Sequence, residues 1–298
     1  MLAERGNGSR ARGDLGTTVR HGPAYGAPVD YVSVFAASAA AIAVLMLGTW
    51  LLSLPLRNAS IVDIVWGLGF VVVAWVSYLV GDGVEARRLL LAVMVSVWGL
   101  RLAGYLLWRN AGKGEDFRYQ AMRRKAGSSF AVKSLVTVFA VQGVIMWVVS
   151  LPVQVASVPD RPSSIGVLGI VGVVVWAIGL FFEATGDWQL ARFKADPANA
   201  GQVMDRGLWR YTRHPNYFGD FCVWWGIWLV AAVTGVGLVA VVGPLVMSVF
   251  LMRVSGVPML ERTIGKRRPG YEDYVRRTNA FFPGPPKAAA PSGGDGAS

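Results

Sequence analysis

The chain has a single cysteine, Cys222, and only two histidines, His21 and His214. One thiol excludes a disulfide framework and a cysteine-based zinc site. With His21 near the N-terminus and His214 alone, neither a histidine-rich metal centre nor a Ser-His-Asp relay can assemble, so no metal is expected. Charge is scarce too: Asp, Glu, Lys and Arg make up 16% of the 298 residues, against ~25% in soluble domains. The net charge of +11 comes with no zinc knuckle, helix-turn-helix or soluble basic domain, so it gives no reason to expect nucleic acid. Gly81-Asp82-Gly83-Val84-Glu85-Ala86 matches a dinucleotide fingerprint only loosely, and no strand precedes it.

Apolar residues are abundant, at 54% of the chain, with a mean hydropathy of +0.45. These values describe an integral membrane protein. Runs long enough to cross a hydrocarbon core of ~30 Å lie at 31–56, 61–80, 87–108, 130–152, 164–186, 217–234 and 236–254. Their length and lack of strict alternation predict an all-α polytopic bundle of about seven transmembrane helices and argue against a barrel. Gly166, Gly169 and Gly172 read as a close-packing stripe. Residues 1–30 and 283–298 are polar or low in complexity and read as disordered tails around a membrane domain at 31–282. Most Lys and Arg residues fall in the connections after the third and fifth runs and after the seventh. Basic residues favour the cytoplasmic side, which places the N-terminus outside and the C-terminus in the cytoplasm. The expected location is a bacterial plasma membrane, crossed several times, with membrane lipids as neighbours.

The richest segment is GLWRYTRHPNYFGDFCVWWGIW, residues 207–228, at the cytoplasmic mouth of the sixth run. Arg210, Arg213 and His214 can grip phosphate or carboxylate, Tyr211 and Tyr217 can stack on a flat ring, and Asn216 can read an amide. Isolated arginines here would serve as positive-inside anchors beside Trp209 and Tyr211, a role that leaves His214, Asn216 and Asp220 unexplained. Pro215 suits the first turn of a helix, whose free N–H groups favour an anion. Trp224, Trp225 and Trp228 read as packing or lipid-facing residues.

Two charges inside runs call for partners: Asp63 in SIVDIVWGLGF and Arg101 in VWGLRLAGYLLWRN. They either pair with each other or serve a site. Glu183, one turn before Asp187, adds a buried carboxyl that could supply a proton. Tyr105, one turn beyond Arg101, is another donor.

The span-six string, preceded by DWQLARFK and followed by ERTIGKRRPGYEDYVRRTNAFFPGPP, resembles the membrane-bound steroid 5-alpha-reductase superfamily, in particular its bacterial branch. Sterol carbon-14 reductases and isoprenylcysteine carboxyl methyltransferases are relatives. The resemblance is strongest over 183–283. It implies a seven-span reductase with NADPH in a cytoplasmic-side cavity, bound mainly by the half at 183–282, and a lipid-like substrate entering from the membrane. By resemblance, Asp187 and Lys194 are cofactor contacts on the helix leaving span five. Tyr211, Asn216 and Asp220 are their span-six counterparts, and Tyr105 and Arg109 those of span three. Where steroid reductases hold the substrate carbonyl with a tyrosine and a glutamate, this chain has Trp98 and, roughly, Asp63.

The expected function is therefore NADPH-dependent transfer of hydride to a carbon–carbon double bond of a lipid-like substrate, whether steroid, isoprenoid or fatty acyl. Asp63 and Tyr105 are the catalytic candidates. Arg109, Asp187, Lys194, Arg210, Tyr211, Arg213, His214, Asn216, Tyr217 and Asp220 are the cofactor-binding candidates. The alternatives are an S-adenosylmethionine-dependent methyltransferase and a non-catalytic lipid-binding member of the same fold.

Overall fold

The computed structural model describes residues 30–254 and 270–287, all helix and connection, with no strand among them. In chain order the helices are α1 (Tyr31–Leu56), α2 (Ile61–Val80), α3 (Glu85–Asn110), α4 (Phe117–Val149), α5 (Leu151–Ala156), α6 (Gly166–Ala195), α7 (Pro215–Ala232), α8 (Val236–Val254) and α9 (Tyr271–Arg277). Six of them, α1, α2, α3, α4, α6 and α8, are long and apolar enough to cross a membrane.

Local chemistry sets the boundaries. Asp30 accepts a hydrogen bond from the Ser33 N–H at 2.8 Å and caps α1. Arg57, with φ 47°, closes it in the left-handed region. The fourth run is expected to begin at residue 130, whereas α4 begins at Phe117, because Asp116 caps it by accepting from the Arg118 N–H. A 3₁₀ turn at Gly127–Ser129 and a π segment at Leu135–Ala140 then lead into its apolar part.

The helix of the sixth run, α7, has 18 residues and is not among the six apolar ones. Asn216 and Asp220 occupy its first turns, and Trp224, Trp225 and Trp228 follow. Yet Val223, Trp224, Ile227, Val230 and Ala231 are fully buried. A helix screened from lipid by its neighbours has no need of a lipid-like surface, so a helix with polar first turns can sit among the others. Trp224 packs on Phe70 of α2 and Trp98 of α3, with ring centroids 4.6 and 5.3 Å away. These contacts match the expected packing role of Trp224.

The tightest helix pair is α6 with α7. A Cβ on Gly179 would lie 2.6 Å from the Gly219 carbonyl oxygen, and one on Gly226 would lie 2.6 Å from that of Gly172. Apolar side chains gain little from meeting one another inside a membrane, so such backbone contact is what holds helices together there. The stripe differs from the expected one. Gly172, Gly179 and Gly186, two turns apart, face α7, whereas a Cβ on Gly166 would meet nothing within 4 Å.

The segment 270–287 folds back as a strap. Tyr274 donates its hydroxyl to the Trp209 carbonyl at 2.5 Å, and Thr212 donates to the Phe281 carbonyl at 2.8 Å. The Gly284 N–H donates to the Tyr211 carbonyl at 3.0 Å. The described strap runs to Lys287, four residues past Pro283, where the expected C-terminal tail begins. The expected tails at 1–29 and 288–298 lie outside the described residues.

Candidate functional site

Three helices each carry polar residues one turn apart: Trp98, Arg101 and Tyr105 on α3, Glu183 and Asp187 on α6, Asn216 and Asp220 on α7. This spacing puts each set on one face of its helix, and the bundle turns the faces inward. Arg101 is the centre. Its Nη2 bonds Glu183 Oε1, and its Nη1 donates to Asp187 Oδ2 at 3.0 Å. Trp98 donates its indole N–H to Glu183 Oε2 at 2.8 Å, and Asn216 Nδ2 donates to Asp187 Oδ1 at 3.2 Å. The Tyr105 hydroxyl meets the Asp187 backbone oxygen at 3.5 Å. Glu183 and Asp187 are only 3% and 5% exposed, and these bonds offset part of the cost of burying such polar groups. Asp220 Oδ1 is buried with no hydrogen-bond donor among the described residues.

Asp63 and Arg101 do not pair. Asp63 Oδ2 bonds Arg118 Nη2 at 2.6 Å, and its Oδ1 accepts the Tyr119 hydroxyl at 2.7 Å. Gln142 donates to the Tyr119 oxygen at 3.2 Å, and Arg118 also bonds Asp116 at 2.8 Å. Asp63 thus ties the start of α2 to the start of α4, in a cluster separate from the one around Arg101. Beside it, Glu115 accepts from Arg123 and from the Ala59 N–H, each at 2.8 Å. Burial by itself would raise the Glu115 carboxyl, but these two donors outweigh it and hold the group below the usual carboxylate range.

The span-six candidates divide among several surroundings. Asn216 and Asp220 join the Arg101 cluster. His214 is buried and stacks on Tyr217 at 5.5 Å with rings 7° from parallel. Arg213 is expected to grip phosphate, but it is buried and donates through Nη1 to the backbone carbonyls of Thr278 at 2.6 Å and Val275 at 3.2 Å. Its backbone N–H donates to the Asn279 carbonyl at 2.9 Å. The guanidinium thus satisfies backbone carbonyls of the strap and pegs it to the loop before α7. Tyr211 and Lys194 are exposed. Arg109 is exposed in the last turn of α3, with its guanidinium 5.7 Å from the Tyr105 ring centroid. Arg210 lines a cleft of about 590 Å³ with Arg206, Arg277 and Lys287.

Residues outside the expected set complete these arrangements. Trp98 is a donor to Glu183, and Arg118 with Tyr119 holds Asp63. A tryptophan in an apolar run carries no mark of a polar task, and Arg118 falls outside the run predicted to form span four. No group of His, Cys, Asp and Glu suited to a metal occurs among the described residues.

The protein-family comparison spans the residues of this arrangement. The model of the DUF1295 family, described as a protein of unknown function, matches residues 49–278 and so takes in both polar clusters and the start of the strap. That family groups with the steroid 5-alpha-reductase-like proteins. The uncharacterised protein C594.04c of Schizosaccharomyces pombe is 20% identical over 259 residues, covering 78% of this chain and 75% of that protein. No solved structure matches. The chain belongs to the DUF1295 family.

Proposed function

We propose that the chain is an NADPH-dependent membrane reductase acting on a carbon–carbon double bond of a lipid-like substrate. The observation that supports this most is the convergence of α3, α6 and α7 on Asp187, next to an Asp220 oxygen with no hydrogen-bond donor among the described residues. The carboxamide N–H of a nicotinamide is a donor of the kind Asp220 needs, and Asn216 can both give and accept hydrogen bonds beside it. Arg109 and Lys194, exposed at the ends of α3 and α6, would meet phosphates. NADPH, when bound, would supply the hydride. Tyr105, whose hydroxyl meets the Asp187 backbone oxygen at 3.5 Å, would orient or protonate the substrate. Asp63 would act through Arg118 and Tyr119.

In this reading α7 is the seventh crossing, shielded inside the other helices. The N-terminus faces outward and the C-terminus the cytoplasm, which puts the cofactor residues where NADPH is available in a bacterial plasma membrane. The substrate approaches from the surrounding lipid.

A methyltransferase using S-adenosylmethionine is the second reading, and one observation favours it. Arg101 faces three carboxyl-bearing residues, Glu183, Asp187 and Asp220, an acidic setting that suits a sulfonium, while Arg213 no longer counts toward a phosphate grip. Calorimetric titration of the purified chain with each cofactor separates the two. Saturable binding of NADPH, lost in Asn216→Ala, supports the reductase. Binding of the methyl donor alone supports the second reading, and a folded protein indifferent to both supports a non-catalytic lipid-binding role.

A further inference from the structure

The cleft lined by Asp205, Arg206, Gly207, Arg210, Arg277, Thr278, Pro286 and Lys287 has a volume of about 590 Å³ and is separate from the Arg101 cluster. The loop before α7 supplies one wall and the strap the other. Arg277 spans the walls by bonding Asp205 at 2.9 Å. The Lys287 N–H donates to the Arg277 carbonyl at 2.9 Å, which fixes the end of the strap at the rim. Asp205 is the cleft's only acidic residue among the described residues. Arg206, Arg210 and Lys287 are exposed and have no carboxylate partner among the described residues. Three cations held around one concavity repel each other unless an anion joins them.

The neighbours of the cleft identify the anion's source. Tyr211, beside Arg210, is 45% exposed, and Phe282 of the strap is 55% exposed. Phe282 packs on Phe218 and Phe221 of α7, at ring-centroid distances of 6.2 and 5.7 Å. Exposed aromatic rings at the end of membrane helices belong at the level of lipid headgroups. Basic residues at that level attract anionic lipids, each by roughly 1 kcal/mol near the surface. A volume of this size admits a phosphodiester headgroup.

We infer that this cleft is a binding site for the phosphate headgroup of an anionic phospholipid, held by Arg206, Arg210 and Lys287, with the acyl chains lying along the exposed Tyr211 and Phe282 rings. Its occupancy would brace the strap against the loop that leads into α7.

The test uses the full chain, purified in detergent and titrated separately with phosphatidylglycerol, phosphatidylcholine, inorganic phosphate and NADPH, with bound lipid counted by native mass spectrometry. The wild type is expected to bind phosphatidylglycerol about tenfold or more tightly than phosphatidylcholine. The double substitution Arg206→Glu with Lys287→Glu is expected to abolish that preference. Lys287→Gln, at an exposed position whose side chain makes no hydrogen bond among the described residues, keeps the fold and should weaken the preference by itself. Equal binding of the two lipids by the wild type, or an undiminished preference in both variants, overturns the assignment. So does displacement of phosphatidylglycerol by inorganic phosphate or NADPH, which would make the ligand a soluble phosphate.

Discussion

Trp98 on α3 donates its indole N–H to Glu183 on α6 at 2.8 Å, and both residues are buried. The same indole packs edge-on against Phe70 and Trp224, so one side chain joins the apolar core to the polar cluster. At the position where the reductase resemblance leads one to expect a substrate-holding tyrosine, this chain has a donor already occupied by a carboxylate.

Trp98→Phe keeps most of the ring packing and removes only the donor. Glu183 then loses one of its two partners, at a cost of about 1–3 kcal/mol for a buried polar group left unsatisfied. The melting temperature in detergent should fall. The loss should shrink when Glu183→Gln is added, because the remaining amide carries no charge.

Arg101→Met is expected to be more severe. It strands two buried carboxylates, and breaking a buried pair from one side costs roughly 3–5 kcal/mol. Chemical denaturation should show this loss, and the triple change Arg101→Met, Glu183→Gln, Asp187→Asn should recover part of it. An Arg101→Met protein as stable as the wild type would mean that the cluster holds no net charge for Arg101 to balance.

The α6–α7 contact depends on absent side chains. Gly179→Leu must force the helices apart, since even a Cβ would lie 2.6 Å from both the Gly219 oxygen and the Val223 nitrogen. Overpacking of this kind costs about 1–3 kcal/mol or more. Gly166→Ala would meet no neighbour within 4 Å, although its φ of +54° adds local backbone strain. It should therefore leave the α6–α7 contact intact, which cysteine cross-linking across the pair would show.

Acid should loosen the connection between α3 and α4. Glu115 is held below its usual range in the folded chain, so the native state binds fewer protons than the unfolded one. Its contribution is fully present above the unfolded carboxyl pKa of roughly 4.3 and fades as the pH falls through the lower folded value. Glu115→Gln should flatten the acid limb of the stability–pH curve. A limb as steep as that of the wild type would assign the acid sensitivity to other carboxyls.

Much of the fold is legible in the sequence because a bilayer demands long apolar runs, and the runs at 31–56, 61–80 and 236–254 coincide with α1, α2 and α8. The start of α4 is less legible. Residues 117–126 are polar and basic, and their helix depends on a cap at Asp116 rather than on apolarity. Charge partners are harder still. Periodicity shows that Arg101 faces inward but not which helix lies opposite, so pairing with Asp63 stays open until α6 packs beside α3. Arg213 shows the same limit: its partners are backbone carbonyls of the strap, which no side-chain pattern reveals. Asp187, Asn216 and Asp220 are recognisable because they lie in motifs that carry the family resemblance, at the ends of spans five and six.

The central claim is that the Asp187, Asn216 and Asp220 region receives NADPH, and calorimetric titration of the purified full chain tests it most directly. The account predicts saturable NADPH binding by the wild type, at least tenfold weaker in Asn216→Ala and unchanged in Lys287→Gln. A folded wild-type chain that binds no NADPH, or one whose NADPH binding survives Asn216→Ala and Asp220→Asn intact, would contradict it.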